Sequence, residues 1–172
     1  MEQIAFSKLS GAGNDFVVID NRKGIVPSDL SKFIEKICAR RISVGADGVL
    51  LVENSNVADF KMRYFNSDGG EAETCGNGAR CIAKFAYSEG IVKSEKMTFE
   101  TKAGIYTAEI IGKDVKIKMG DTVDMRLNFP IKLSDGTFTI SFANSGVPHA
   151  IFVVDDLENV DVVKLGRETR YH

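Results

Sequence analysis

The feature that most constrains the fold is a segment at residues 76–89 that has helical spacing and very little polar surface. Alanine, cysteine, isoleucine, phenylalanine and tyrosine occupy most of positions 79–87. A helix that is apolar on most of its sides is usually buried, so we expect this one in the interior of the fold. Gly90 is placed to end it.

Short segments with strand character lie on both sides of this helix in the sequence. Four strands are predicted before it, at residues 4–9, 15–20, 49–52 and 60–65. Three more are predicted after it as an antiparallel meander, at residues 96–101, 104–111 and 114–119. An amphipathic helix is predicted at residues 28–40, with Ser28 or Asp29 as its cap. Its apolar stripe includes Cys38, which we therefore expect to be a core residue.

The pattern weakens at residues 120–136, which contain Pro130, and no strand is predicted there. We place a domain boundary near residues 118–122, which divides the chain into a first domain, 1–119, and a second, 120–172. Strands are predicted again at 137–143 and 149–154, and a final helix at about 161–170. The sequence has no low-complexity tract and no short repeat.

Composition excludes several classes of function. The 172 residues include 22 lysine and arginine against 24 aspartate and glutamate, so no basic balance points to nucleic acid or to an anionic membrane. No apolar stretch reaches membrane-spanning length, and no signal peptide is recognisable at the N-terminus. Three cysteines fit no disulfide framework, so we expect free thiols and a cytoplasmic location. Two separated histidines make a zinc site implausible, and no metal is expected.

The strongest chemical signal is Cys75, which follows a turn and comes directly before the predicted buried helix. The unpaired N–H groups and the positive end of the dipole at a helix start favour an anion there, so a thiolate is favoured near neutral pH. The same N–H groups, from residues 76–78, are suited to binding a substrate carboxylate. A thiolate beside a carboxylate cradle suits removal of a proton from the carbon next to that carboxylate.

A structural interpretation stands beside this functional one. A cysteine near a helix start is often a small buried residue, although the polar, glycine-rich surroundings of Cys75 are a poor environment for a core. The residues alone leave both interpretations open. Cys81 is interpreted as packing within the helix, and Arg80 with Glu73 as a solvated charge pair near its start.

Four motifs resemble those of one enzyme family. Residues 65–81 (Phe-Asn-Ser-Asp-Gly-Gly-Glu-Ala-Glu-Thr-Cys-Gly-Asn-Gly-Ala-Arg-Cys) resemble the first catalytic segment of diaminopimelate epimerases. Residues 11–16 (Gly-Ala-Gly-Asn-Asp-Phe) resemble that family's N-terminal loop, 45–48 (Gly-Ala-Asp-Gly) its glycine loop, and 144–149 (Asn-Ser-Gly-Val-Pro-His) a fourth motif. The four occur in the family's order and extend over most of the chain.

The resemblance implies an α+β fold of two pseudo-symmetric domains, each a curved, mixed or antiparallel sheet around a central helix, with the active site between them. It implies epimerisation of LL-diaminopimelate to the meso isomer on the route to lysine. Two cysteines on opposite faces of the substrate would transfer the α-proton, without pyridoxal phosphate, metal or any other cofactor. It also suggests a homodimer.

The resemblance assigns roles residue by residue. Cys75 matches one of the two catalytic cysteines, and His149 matches a histidine that assists catalysis. Gly76 and Asn77 match residues that hold the reacting carboxylate. Two further asparagines match substrate-binding positions, Asn14 and Asn66.

The chain also departs from the family pattern. Gly48 stands where many members have a substrate-binding glutamine, and Val147 where many have an asparagine. The family pattern continues past His172, and its second cysteine lies in that later part. We therefore expect a first domain that is complete or nearly so, a truncated second domain with exposed apolar surface, and no efficient activity from these residues alone. Two alternatives remain open: another racemase of the same fold, such as a proline-racemase relative, and an inactive fragment that only binds a ligand or partner.

Overall fold

The computed structural model describes residues 3–172, which form two compact units, a first that ends at Gly120 and a second that begins at Asp121. The first unit contains two helices, α1 (Leu30–Cys38) and α2 (Gly76–Ser88). It also contains eight strands, which are β1 (Ser7–Gly11), β2 (Asn14–Asp20), β3 (Gly48–Glu53), β4 (Phe60–Asn66), β5 (Glu71–Ala72), β6 (Lys96–Thr101), β7 (Gly104–Ile111) and β8 (Asp114–Lys118).

These strands form one mixed sheet with the order β1-β2-β3-β4-β6-β7-β8, and β5 pairs with β4. β2 and β3 are parallel, as are β4 and β6, and every other pair is antiparallel. The last three strands form the predicted antiparallel meander. Since α2 contacts six of the eight strands, the sheet must curve around it. The predicted α+β fold, a curved mixed sheet around a central helix, is confirmed.

The first unit has a core on each face of its sheet. In β2, Phe16 and Val18 face α2, whereas Val17 and Ile19 face α1, because side chains alternate along a strand. β3 follows the same rule, so both strands are buried on both faces, which explains their continuous apolar runs. The prediction that Cys38 and Cys81 are core residues is confirmed: Cys38 is the last residue of α1, and Cys81 lies within α2.

The helix boundaries follow local signals. Asp29 caps α1 and its side chain accepts a hydrogen bond from the Lys32 backbone N–H at 3.3 Å, so of the two predicted caps the aspartate is used. α2 ends one residue before its predicted limit, and Gly90, which follows the C-cap Glu89, has a φ of 66°. That left-handed conformation costs little for a glycine, so Gly90 ends the helix as predicted.

The second unit contains β9 (Val123–Leu133), β10 (Gly136–Asn144), β11 (Pro148–Ile151) and α3 (Val162–Arg170). The strands form an antiparallel sheet in which β10 is central. β9 lies where no strand was predicted. It is an edge strand with one mostly exposed face, so it lacks the apolar alternation of a buried strand, and Pro130 is tolerated at an edge.

The core of the second unit is small. Three buried side chains, Ile131, Leu133 and Ile140, form its centre, and Leu165 of α3 packs against them. The expected exposed apolar surface is present, at Val123, Met125, Leu127, Val153, Leu157, Val162 and Val163. An open groove of about 1020 Å³ runs along this unit. Within residues 3–172, no helix combines the length and hydropathy needed to cross a membrane.

Candidate active site at the start of helix α2

Cys75 is the N-cap of α2, as the sequence predicted. Its backbone is extended (φ −150°, ψ 118°), and its carbonyl oxygen accepts the first helical hydrogen bond, from Ala79, at 2.7 Å. Its sulfur accepts a hydrogen bond from the Gly78 backbone N–H at 3.4 Å. The thiol is half-buried, whereas Cys38 and Cys81 are buried. Cys75 is therefore a capping residue that stays accessible, and not a core residue.

Two asparagines lie beside this thiol: Asn14 hydrogen-bonds it, and Asn77 hydrogen-bonds Asn14. Asn14, the first residue of β2, places its side-chain oxygen 3.7 Å from Cys75 Sγ, so the thiol donates a hydrogen bond to it. The same oxygen accepts a hydrogen bond from Asn77 Nδ2 at 3.4 Å. The structure thus brings together three predicted site residues from the N-terminal loop and from the first turn of α2.

The first turn of α2 offers donors for an anion. The backbone N–H groups of Gly76 and Asn77 lie in the first helical turn, where an intrahelical partner is not available. The side chain of Arg80 donates a hydrogen bond to Asn77 Oδ1. The predicted pair of Arg80 with Glu73 was wrong, because among residues 3–172 no ion pair joins them and the arginine instead fixes the asparagine. Such a helix start is suited to a carboxylate.

A cluster of charges lies behind Asn14. The Arg40 guanidinium donates to Asp15 at 2.5 and 3.2 Å and to Asp47 at 2.8 Å. Lys8 forms a further ion pair with Asp15 at 2.8 Å. These cations hold the pKa of Asp15 far below its usual range, with Arg40 the largest cause. The pKa of Asp47 is also lowered, first by the hydrogen bond from Asn14.

Asn66 lies at the end of β4, opposite Gly48 in the pairing with β3, and Gly48 in turn pairs with Phe16 of β2. Asn66 is therefore at the same edge of the sheet as Asn14. The Tyr64 hydroxyl donates a hydrogen bond to Asn66 Oδ1 at 2.6 Å, which leaves the Asn66 amide N–H₂ pointing away from the tyrosine. Burial raises the pKa of Tyr64 to about 12, and Cys75 is a further cause.

The other two cysteines do not join this site. Burial raises the pKa of Cys38 to about 11 and also raises that of Cys81, so both are held as thiols. His149 belongs to the second unit, at the start of β11, where its Nε2 lies 3.0 Å from Ser145 Oγ. It is exposed there. Within residues 3–172, no group of three or more acidic, histidine or cysteine side chains is arranged to hold a metal ion.

Three residues of the site were missed at the sequence level: Asp47, Tyr64 and Arg80. Asp47 belongs to a glycine loop that the sequence analysis noted only as a motif. The signal was a carboxylate directly before an apolar strand. Since β2 and β3 are parallel, the residues that begin each strand meet at one edge, and this geometry places Asp47 beside Asn14.

Comparison with known proteins agrees with the motifs. A family model described as diaminopimelate epimerase matches residues 6–124. The diaminopimelate epimerase of Aquifex aeolicus is 44% identical over 97% of this chain, and that of Archaeoglobus fulgidus is 42% identical over 98%. The chain spans 63% and 65% of the lengths of these two relatives.

Solved structures show the same fold at low identity. A probable proline racemase from Agrobacterium radiobacter K84 has a TM-score of 0.67 at 18% identity, and the matched region covers 95% of this chain and 53% of the racemase. A hydroxyproline epimerase from Agrobacterium vitis has a TM-score of 0.66 at 16% identity, and the matched region covers 94% of this chain and 52% of the epimerase. These similarities concern the fold alone.

Proposed function

Because this chain belongs to the diaminopimelate epimerase family, we propose that it carries one half of the catalytic machinery for epimerising LL-diaminopimelate to the meso isomer. One observation carries the proposal: the half-buried thiol of Cys75 caps α2, between a backbone N–H donor and the oxygen of Asn14. A group in that position has partners for both its protonated and its ionised form.

The proposed reaction is proton transfer at the α-carbon. The substrate carboxylate lies at the start of α2, held by the N–H groups of Gly76 and Asn77. The Cys75 thiolate takes the α-proton: the Cα–H bond breaks, an S–H bond forms, and the electron pair is delocalised into the carboxylate. A second thiol then gives its own proton to the opposite face of the α-carbon. This chemistry requires neither a metal nor pyridoxal phosphate.

The remaining assigned residues would orient the substrate. In this proposal Asn14 and Asn66 bind it through their amides, and His149 assists the proton transfer. The second thiol is not Cys38 or Cys81, because both are buried in the cores of the first unit. The 172 residues alone are therefore proposed to exchange the α-proton slowly and not to epimerise efficiently.

Two alternatives stay in view. The fold of racemases that act on proline or hydroxyproline is compatible with another amino acid as the substrate. The second alternative is a protein that binds an amino acid or a partner without turnover.

We further propose a cytoplasmic location, which fits three free thiols, and a homodimeric assembly, which follows only the family resemblance.

The test is incorporation of deuterium from D₂O into the α-position of LL-diaminopimelate, followed by proton NMR, with L-proline as the comparison substrate. We expect slow exchange of diaminopimelate, no exchange of proline, and loss of exchange in Cys75→Ala. Cys38→Ala is the matched control, since it removes a buried thiol from the opposite face of the sheet and should leave exchange unchanged.

Each other outcome has a definite meaning. Equal exchange by wild type and Cys75→Ala contradicts the proposed role of the thiol. Exchange of proline but not of diaminopimelate supports the racemase alternative. Binding of diaminopimelate without exchange, measured by calorimetry, supports the non-catalytic alternative. Efficient conversion to the meso isomer by the mass-verified chain would refute the proposal that it lacks a second proton-transfer group.

A further inference from the structure

We propose that Asp47 is a positioning residue that sets the amide orientation of Asn14 and thereby favours the protonated form of Cys75. The inference concerns the same thiol as the proposed function and rests on that function for its catalytic meaning. Within residues 3–172, no hydrogen bond joins Asp47 to Cys75. Asp47 instead acts through Asn14, which hydrogen-bonds both of them.

The first step is the contact between the two side chains. Asn14 Nδ2 lies 2.8 Å from Asp47 Oδ2. An ionised carboxylate only accepts hydrogen bonds, so the amide nitrogen of Asn14, and not its oxygen, must face it. The carboxylate is itself fixed, because its Oδ2 also accepts from the Asp15 backbone N–H at 3.1 Å and its Oδ1 accepts from Arg40 at 2.8 Å.

The second step is the consequence at the thiol. With its nitrogen held by Asp47, Asn14 directs its oxygen to Cys75 Sγ, at 3.7 Å, and to Asn77 Nδ2. An amide oxygen accepts a hydrogen bond from a thiol but repels a thiolate. The Gly78 N–H, at 3.4 Å from the sulfur, has the opposite preference. Cys75 therefore has one partner for each protonation state: the Asn14 oxygen for the thiol and the Gly78 N–H for the thiolate. A group that both takes and returns a proton requires such a pair of partners.

Other charged and titratable groups surround this end of α2. β4 contributes Tyr64, whose hydroxyl stays protonated because burial raises its pKa to about 12. The turn and the helix contribute Glu73, Arg80 and Cys81. β1, β2 and the loop after α1 contribute the charges behind Asn14, which are Lys8, Asp15 and Arg40. Within residues 3–172, none of these side chains hydrogen-bonds the Asn14 amide, whereas Asp47 does.

The decisive variant is Asp47→Ala. It removes the acceptor that holds the Asn14 amide nitrogen, while Arg40 keeps its ion pair with Asp15. The Asn14 amide is then free to turn its N–H₂ to Cys75, where it stabilises the thiolate. The readout is the rate of iodoacetamide alkylation of Cys75 against pH, with the Cys75 peptide quantified by mass spectrometry. We expect the midpoint of this profile to fall by about one pH unit.

Two controls separate orientation from charge and from general damage. Asp15→Asn removes one negative charge from the same cluster but keeps the Asn14–Asp47 contact, so its shift should be much smaller. Asp20→Asn removes a carboxylate paired with Arg22 at the far end of β2 and should cause none. An unchanged midpoint in Asp47→Ala, or an equal shift in Asp15→Asn, overturns the proposal.

A second variant keeps the proposal testable if thermal melting shows that the first variant folds poorly. Asn14→Ala removes the oxygen that accepts from the thiol, so it should also lower the midpoint, and adding Asp47→Ala to it should shift the midpoint by no more than Asp15→Asn does. A larger further shift in the double variant, or no shift in Asn14→Ala, contradicts action through Asn14. The alkylation needs no substrate, so its result is independent of whether the chain acts on diaminopimelate.

Discussion

Gly48 is the first residue of β3 and stands between β2 and β4 in the sheet. A Cβ built on it would lie 2.4 Å from the Phe65 carbonyl oxygen and 2.8 Å from a ring carbon of Tyr64. The first neighbour is backbone in a paired strand, which cannot move aside without breaking the pairing. In this chain, the glycine is therefore required by packing.

We predict that Gly48→Ala destabilises the protein by about 1–3 kcal/mol, because the added methyl group overpacks the sheet beside Tyr64. Urea unfolding followed by circular dichroism measures this change. Gly120→Ala is the matched control, since a Cβ there meets open space, and it should stay within about 0.5 kcal/mol of wild type. Equal effects of the two substitutions would show that contact at Gly48 is not the cause.

Site residues differ in how visible they are in the sequence. Cys75, Gly76 and Asn77 were predicted as site residues because a glycine-rich turn followed by an apolar helix is a local pattern. Asn14 was identified by resemblance, and the structure adds its contacts with Cys75 and Asp47. The roles proposed for these four residues, and for Asn66 and His149, stay predictions.

Helix α2 is the element on which the first unit depends. Seven of its residues, Gly78, Ala79, Cys81, Ile82, Ala83, Phe85 and Ala86, are buried, and it carries the capping thiol at its start. Its small side chains allow close approach to the sheet. Gly11 of β1 shows how close: a Cβ there would lie 2.8 Å from the Asn77 carbonyl oxygen.

We predict that Ile82→Ala costs about 2–5 kcal/mol of unfolding free energy, because it leaves a cavity between α2 and the curved sheet. Thermal and urea unfolding both measure the loss. Val163→Ala on α3 is the control, because that side chain is 81% exposed and its truncation should have little effect. A loss below about 1 kcal/mol in Ile82→Ala would contradict the central role of α2 in the core.

Strand β9 illustrates an element that local patterns do not reveal. Eight of its eleven residues are exposed, and it contains Pro130. Its strand conformation depends on hydrogen bonds to β10, with two register irregularities along the pair. Only the partner strand, and not the alternation of apolar residues, decides such an element.

At the scale of the whole molecule, the two units differ in the size of their cores. The first has two buried clusters, one on each face of its sheet, whereas the second has three buried side chains at its centre. Regions with few buried apolar contacts open at lower free energy than the global transition. The second unit should therefore be the less stable of the two.

We predict that backbone amides of β10 exchange with deuterium much faster than those of β3 under native conditions, because opening the second unit disrupts only its small core. Hydrogen exchange with mass spectrometry, resolved to peptides, measures both. Peptides from β7 serve as an internal control within the first unit and should be protected like β3. Equal protection of β10 and β3 would mean that the chain unfolds as one cooperative unit.

The sequence by itself determined the elements whose signals are local. These are the two capped helices, the apolar strands of the first sheet and a thiol at the start of a helix, since each depends on neighbours within a few residues. The tertiary structure alone decided which groups meet that thiol. Asn14 lies 61 residues before Cys75, and Asp47 reaches it only through the parallel pairing of β2 with β3. Contacts of that kind depend on how the sheet curves around α2, which no local pattern encodes.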